Sequence, residues 1–189
     1  MVTKPVDAYF PAIGPTHMAQ VAGGAFQQGL TPLSMMAAPS FNDAFVREGF
    51  ALAPLFTSGS MYLMAFVAPY EAETAGHATM RATFTAMGID SANTFLVAGW
   101  SSQHHLKGVL EAANKGGDLT RAGIRRAAGS VYVDSDGMMP QRELGQNRAD
   151  AESFIAVPDG TIASGVKLLA GNYVGPSAGG YDWESGPCS

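Results

Sequence analysis

Cysteine is nearly absent: the 189 residues contain one, Cys188, next to the last position. One thiol permits no internal disulfide and no cysteine zinc cluster, so packing alone must hold the fold. Its place at the end of the chain makes it a bystander rather than a nucleophile. Charge is also scarce, at 14% of residues with a net charge of −5. That balance argues against a nucleic-acid partner, which calls for a basic stripe. The one basic cluster, Arg121, Arg125 and Arg126, reads as the solvated face of a helix. No apolar run approaches the roughly 20 residues of a membrane span. The first ten residues, MVTKPVDAYF, lack the apolar region and cleavage site of a signal peptide.

Catalytic and metal-binding patterns are missing as well. There is no G-x-G-x-x-G, no P-loop and no H-E-x-x-H. Gly99-Trp100-Ser101 lacks the second glycine of a nucleophile elbow. His104 and His105 are adjacent, which on a helix sets them about 100° apart, unable to chelate one metal side by side. His17 and His77 have no acidic partner at ligand spacing. Asp134, Asp136 and Gly137 echo the start of a calcium loop, but Met138, Met139 and Pro140 follow where further oxygen ligands belong. A tight turn is the better reading. These residues imply no enzyme, no metal and no cofactor.

What is present is 47% hydrophobic residues, enough for one ample core or two small lobes. Asp7 to Ser40 is the most legible stretch. DAYFPAIG is a short apolar strand ending in a Gly-Pro break. Met18, Val21, Ala22 and Ala25 then mark one helix face, stopped by Gly29 and Pro32. Leu33 to Ala38 is a second strand-length run. Strand, helix and strand form a βαβ unit with parallel strands, whose ligand site lies beyond the carboxyl ends. Those ends are Ile13-Gly14-Pro15-Thr16 and Ala38-Pro39-Ser40.

Further on, Asn42 or Asp43 caps a short helix through Arg47, closed by Gly49. FALAPLF, Phe50 to Phe56, reads as a third strand, and Thr57 to Ser60 as a loop. Met61 to Gly88 reads as helical, interrupted near Pro69 and Gly76. Thr94 to Lys115 is the longest helix, and Asp118 caps another that ends at Gly129. Val131-Tyr132-Val133 with its Asp-Gly turn predicts a hairpin. Phe154 to Val157, Pro158-Asp159-Gly160 and Thr161 to Leu169 predict a clearer one. The order is βα units, a block of helices, then hairpins, which is part of a doubly wound sheet.

Taken in this order, DAYFPAIGPTHMAQVAGGAFQQGL, AAPSFND, AGWSSQHHLKGVLEAANKGGDLTRAGIRRA and FIAVPDGTIASGV resemble one family. It is the carboxyl-terminal half of the branched-chain amino-acid-type solute-binding proteins of ABC transporters. The resemblance implies an α/β, Rossmann-like type 1 periplasmic binding fold lacking most of its amino-terminal lobe. It places residues 1–60 and 154–175 in the second lobe, 61–153 in the later part of the first, and 176–189 in a tail. It implies capture of an amino acid, amide or related solute outside the cytoplasm, with a transporter permease as partner. A small-molecule sensor domain is the rival role. The family's aromatic and acidic ligand contacts fall by offset at Gly14 or Pro15 and at Ala38, none of which carries the expected side chain. The wall left for a ligand is Ala12, Gly14, Pro15, Thr16, Ala38 and Ser40, with His17 near. With the gripping βα units absent, this chain is expected to bind weakly.

Overall fold

The computed structural model of the chain describes residues 6–140, 142–143 and 152–179. The expected βαβ unit is there: β1 (Ala8–Tyr9), α1 (Pro15–Gln27) and β2 (Leu33–Ala37), with β1 parallel to β2. Proline suits the first turn of α1, where an N–H would have no partner. Gly29 ends the helix at a φ of 73°, a left-handed turn that glycine makes without a steric penalty. Met18 and Ala22 are buried against the sheet as the periodicity predicts, whereas Val21 faces solvent. The packed face runs instead through Gly23, where an added Cβ would stand 3.2 Å from Leu52 Cδ1.

The strand expected over Phe50–Phe56 is a correction. Ala53–Phe56 is a single helical turn, α2, with Pro54 near its start. Phe50 and Phe56 both pack on Phe45, at ring-centroid distances of 5.3 and 4.6 Å. The apolar run that suggests a strand is an aromatic cluster. The third strand, β3, is Met61–Ala65, within the stretch whose composition favours a helix. Met61, Leu63 and Ala65 are buried while Met64 is exposed, a period of two. Docking between two other strands overrides the helical preference of Met and Leu.

The helices follow their caps. α3 (Ala75–Ala86), α4 (Thr94–Lys115) and α5 (Arg121–Ala128) open on Thr74, Asn93 and Thr120, whose side chains accept first-turn amides. The cap of α5 is therefore Thr120 rather than Asp118. The Asp118 carboxylate accepts from the Thr120 amide and hydroxyl and so holds the cap in place. β4 (Tyr132–Val133) pairs antiparallel with β5 (Arg142–Glu143). Between them Asp136 and Gly137 turn at positive φ, and the Asp136 amide donates to Asp134 Oδ1 at 2.9 Å. β6 (Glu152–Pro158) and β7 (Val166–Val174) form the second hairpin, and α6 (Pro176–Gly179) follows.

The main sheet has the order β1-β2-β3-β6-β7. β1, β2 and β3 run parallel, β6 pairs antiparallel with β3, and β7 pairs antiparallel with β6. The chain leaves this sheet after Ala65 and returns at Glu152. Because β3 bonds directly to β2, residues 61–65 belong with β1 and β2, and a boundary at Ser60 would cut the sheet. The largest core joins Met18 and Ala22 of α1, Phe41, Phe45, Leu55 and Phe56 to Met36, Leu63 and Ala156 on one sheet face. A second core, with Val67, Tyr70, Met80, Phe84, Val97 and Met138, gathers α3 and α4. A small cluster of Ala38, Ala65, Ala68 and Phe154 lies where the chain passes from one to the other.

Candidate functional site at the strand ends

The carboxyl ends of β1 and β2 are tied together by one side chain. Ser40, fully buried, accepts from the Ile13 amide at 3.0 Å, and its hydroxyl donates to the Pro11 carbonyl at 3.3 Å. The Ala37 amide reaches the same Pro11 carbonyl at 3.0 Å, continuing the β1–β2 ladder. Ser40 thus fixes where the loop leaving β1 enters α1. Ala38 is buried in the small cluster at the crossing, so it and Ser40 face the protein interior. Ala12, Gly14, Thr16 and His17 are exposed and Pro15 is half-buried. The strand ends therefore bring the expected residues together in two layers, one supporting and one open.

The open layer is the amino end of α1. Gly14 occupies the cap position and supplies no side chain to it, and Pro15 has no N–H. The first turn holds no acidic residue. The Thr16 and His17 amides consequently point out of the helix end, where the helix dipole favours a negative group. Ile13, one residue ahead of the cap, adds exposed apolar surface, whereas Phe10 lines an apolar groove with Met35 and Met64. α3, α4 and α5 all satisfy the equivalent amides with a Thr or Asn side chain.

The crossing between the two cores carries residues that the sequence reading does not single out as functional. The Ala68 amide donates to the Met138 carbonyl at 2.9 Å, so outgoing and returning chain run side by side. His77 is fully buried there, with Nε2 3.2 Å from the Ala68 carbonyl and Nδ1 2.8 Å from Thr74 Oγ1. Burial lowers its pKa below the ordinary 6.5, and the Arg81 charge acts the same way, against the Ala68 hydrogen bond and Glu73. Glu71 accepts from the Ser164 amide and hydroxyl, at 3.0 and 2.5 Å, pinning the segment after β3 to the β6–β7 loop. The signal for His77 was legible: Thr74 precedes it by three residues, the spacing of a helix cap. Nothing local marks Glu71, whose partner is remote in sequence.

A second concave feature, a groove of about 510 Å³, runs between α4 and β4. His104, Lys107, Glu111 and Asp134 line it. Lys107 and Glu111 stand 3.8 Å apart and largely exposed, a pair worth little in water, and Asp134 and Asp136 leave the groove wall net negative. It lies away from the strand ends. Among the described residues no group of three His, Cys, Asp or Glu could hold a metal ion. No described helix is long and apolar enough to cross a membrane.

No family model and no curated protein matches the sequence. The fold does match solved structures. A fatty acid ABC transporter substrate-binding protein from Thermomonospora curvata superposes with a TM-score of 0.79 at 21% identity, over 93% of this chain and 45% of its own. An ABC transporter substrate-binding protein from Aeropyrum pernix gives 0.66 at 12% identity, over 91% and 46%. The chain has the α/β fold of ABC transporter substrate-binding proteins, in incomplete form. It spans less than half the length of the two solved proteins it matches.

Proposed function

We propose that this chain is a portion of the extracytoplasmic solute-binding component of an ABC importer, working by capture and not by catalysis. The observation that carries the reading is the superposition on the T. curvata protein over 93% of the chain. In this reading the five-stranded sheet with α1 and α2 is the second lobe, and α3 to α5 belong to the first. The paired crossing segments around Ala68 and Met138 are hinges about which the lobes close on a solute. The transporter permease is the partner.

The strand ends favour a particular solute chemistry. The uncapped α1 terminus suits a carboxylate, and exposed Ile13 beside it suits an apolar body. Gly14, Pro15 and Ala38 provide no acid to meet an ammonium group. A simple apolar carboxylate, such as the fatty acid named for the T. curvata protein, therefore fits better than an α-amino acid or amide.

The test is amide NMR on the labelled chain, titrated with hexanoate, leucine and hexanamide. Hexanoate should shift the Thr16 and His17 signals with a dissociation constant near 1 mM, about −4 kcal/mol, as expected of one wall without its opposite. Leucine should shift them less and hexanamide not at all. Gly14→Asp places a competing carboxylate at the cap; it should keep or slightly raise stability and abolish the hexanoate response. The reading fails if hexanoate leaves both amides unmoved, or if Gly14→Asp still responds.

A further inference from the structure

The basic cluster on α5 takes no part in either core or in the strand-end site. Residues 115–126 hold four of the chain's eleven basic residues against one acid, Asp118, although the whole chain carries a net charge of −5. α5 rests on the turn before it through Gly123, where an added Cβ would overlap the Asp118 carbonyl. At 100° per residue this contact leaves Arg121, Arg125 and Arg126 on the outward side, within about 140° of one another. All three are exposed. Arg126 pairs with the Asp118 carboxylate, yet its side chain stays 72% exposed. Arg121 and Arg125 make no ion pair among the described residues.

Helix stability accounts for only part of this pattern. Arg125 and Arg126 stand in the last turn, where the helix dipole favours a cation. Arg121 stands at the first helical position, where the same dipole opposes one, and no acid shares that turn. α5 itself therefore gives no reason for the Arg121 charge. Leu119, two residues ahead, is 56% exposed, and Lys115 ends α4 on the other side of the turn. An exposed leucine beside a short basic helix suits a lipid headgroup layer. Guanidinium groups take phosphate oxygens two at a time, and an apolar side chain enters the acyl boundary. An acidic protein segment matches the charge alone.

We propose that the α4–α5 turn and the outer side of α5 form a docking surface for anionic lipid, with Arg121 and Arg125 on headgroup phosphates and Leu119 at the acyl boundary. Salt of about 0.1 M screens charges beyond roughly 10 Å, so a local cluster acts against the net charge of the chain. The inference concerns where the protein meets a surface, and it stands whether or not the strand ends take a carboxylate.

Co-sedimentation of the 189-residue chain with lipid vesicles tests this. Vesicles of phosphatidylcholine and phosphatidylglycerol in equal parts should retain the protein at low salt, and vesicles of phosphatidylcholine alone should not. Arg121→Gln and Arg125→Gln should each weaken retention roughly fivefold, the worth of one charge near a lipid surface. Arg121→Gln should not lower the melting temperature, since it removes a cation from the amino end of a helix, so its weaker binding is not unfolding. Leu119→Ser should remove the binding that persists as salt is raised. Equal retention by both kinds of vesicle would overturn the proposal, as would full retention of the double variant Arg121→Gln/Arg125→Gln. Binding of a polyglutamate peptide, weakened by the same variants, with no retention on either vesicle would assign the face to an acidic protein partner instead.

Discussion

His77 shows how much one buried side chain can govern. Its ring joins the Thr74 cap of α3 to the Ala68 carbonyl on the crossing segment, with no solvent contact. Because burial lowers its folded-state pKa, the unfolded chain takes up a proton first as pH falls from 6.5. Stability from this residue is thus full above that pH and declines below it, down through the depressed folded value. Urea unfolding at pH 7.5 and 5.5 should show the loss, and His77→Gln should flatten the difference between the two. The position was open to sequence reading through Thr74, three residues ahead. That its ring closes onto Ala68 was not, because the contact depends on where the chain turns after Pro69. Ser40 teaches the same lesson. Its place beyond the carboxyl end of β2 suggested a ligand contact, but its buried hydroxyl is engaged by Pro11 and Ile13 and supports the open layer.

Among the elements, those with punctuation were legible and those without were not. α1 and α4 were readable from Pro15, Gly29 and the glycines that follow Lys115, because caps act locally. β3 carries no such mark, and its residues favour a helix until β2 and β6 flank it. The β1–α1 junction is the element that most directly shapes the candidate site. Ser40→Ala would leave the Ile13 amide without its acceptor, while the Pro11 carbonyl keeps the Ala37 amide. A stability loss of about 1–2 kcal/mol is expected. The Gly14–Thr16 backbone should also exchange hydrogen faster than in the parent, and amide exchange with thermal unfolding checks both.

For the whole molecule, the class of fold followed from the order of its segments, but the arrangement of the sheet did not. β6 pairs with β3 across residues 66–151, a separation that no local pattern encodes. The loop Thr57–Ser60 is local punctuation, so a boundary at Ser60 looked natural, whereas the return of residues 154–175 was implied by the resemblance and by no local pattern. The Glu71 contact with Ser164 belongs to this scale too, since it joins the start of the excursion to the far end of the hairpin that closes it.

That late return has a consequence during synthesis. While the ribosome is still making residues 66–151, β3 is the outer strand of the parallel run β1-β2-β3, with its hydrogen-bonding side open to any neighbour. Only when Glu152–Pro158 emerges does an antiparallel partner seal it, and long-range closure of this kind is slow. The β6–β7 hairpin is therefore a cap on a nascent aggregation edge. A polypeptide ending at residue 151 should sediment as large particles when expressed. The same sequence continued through Val174 should remain more soluble, and equal solubility of the two would show that the β3 edge is shielded some other way.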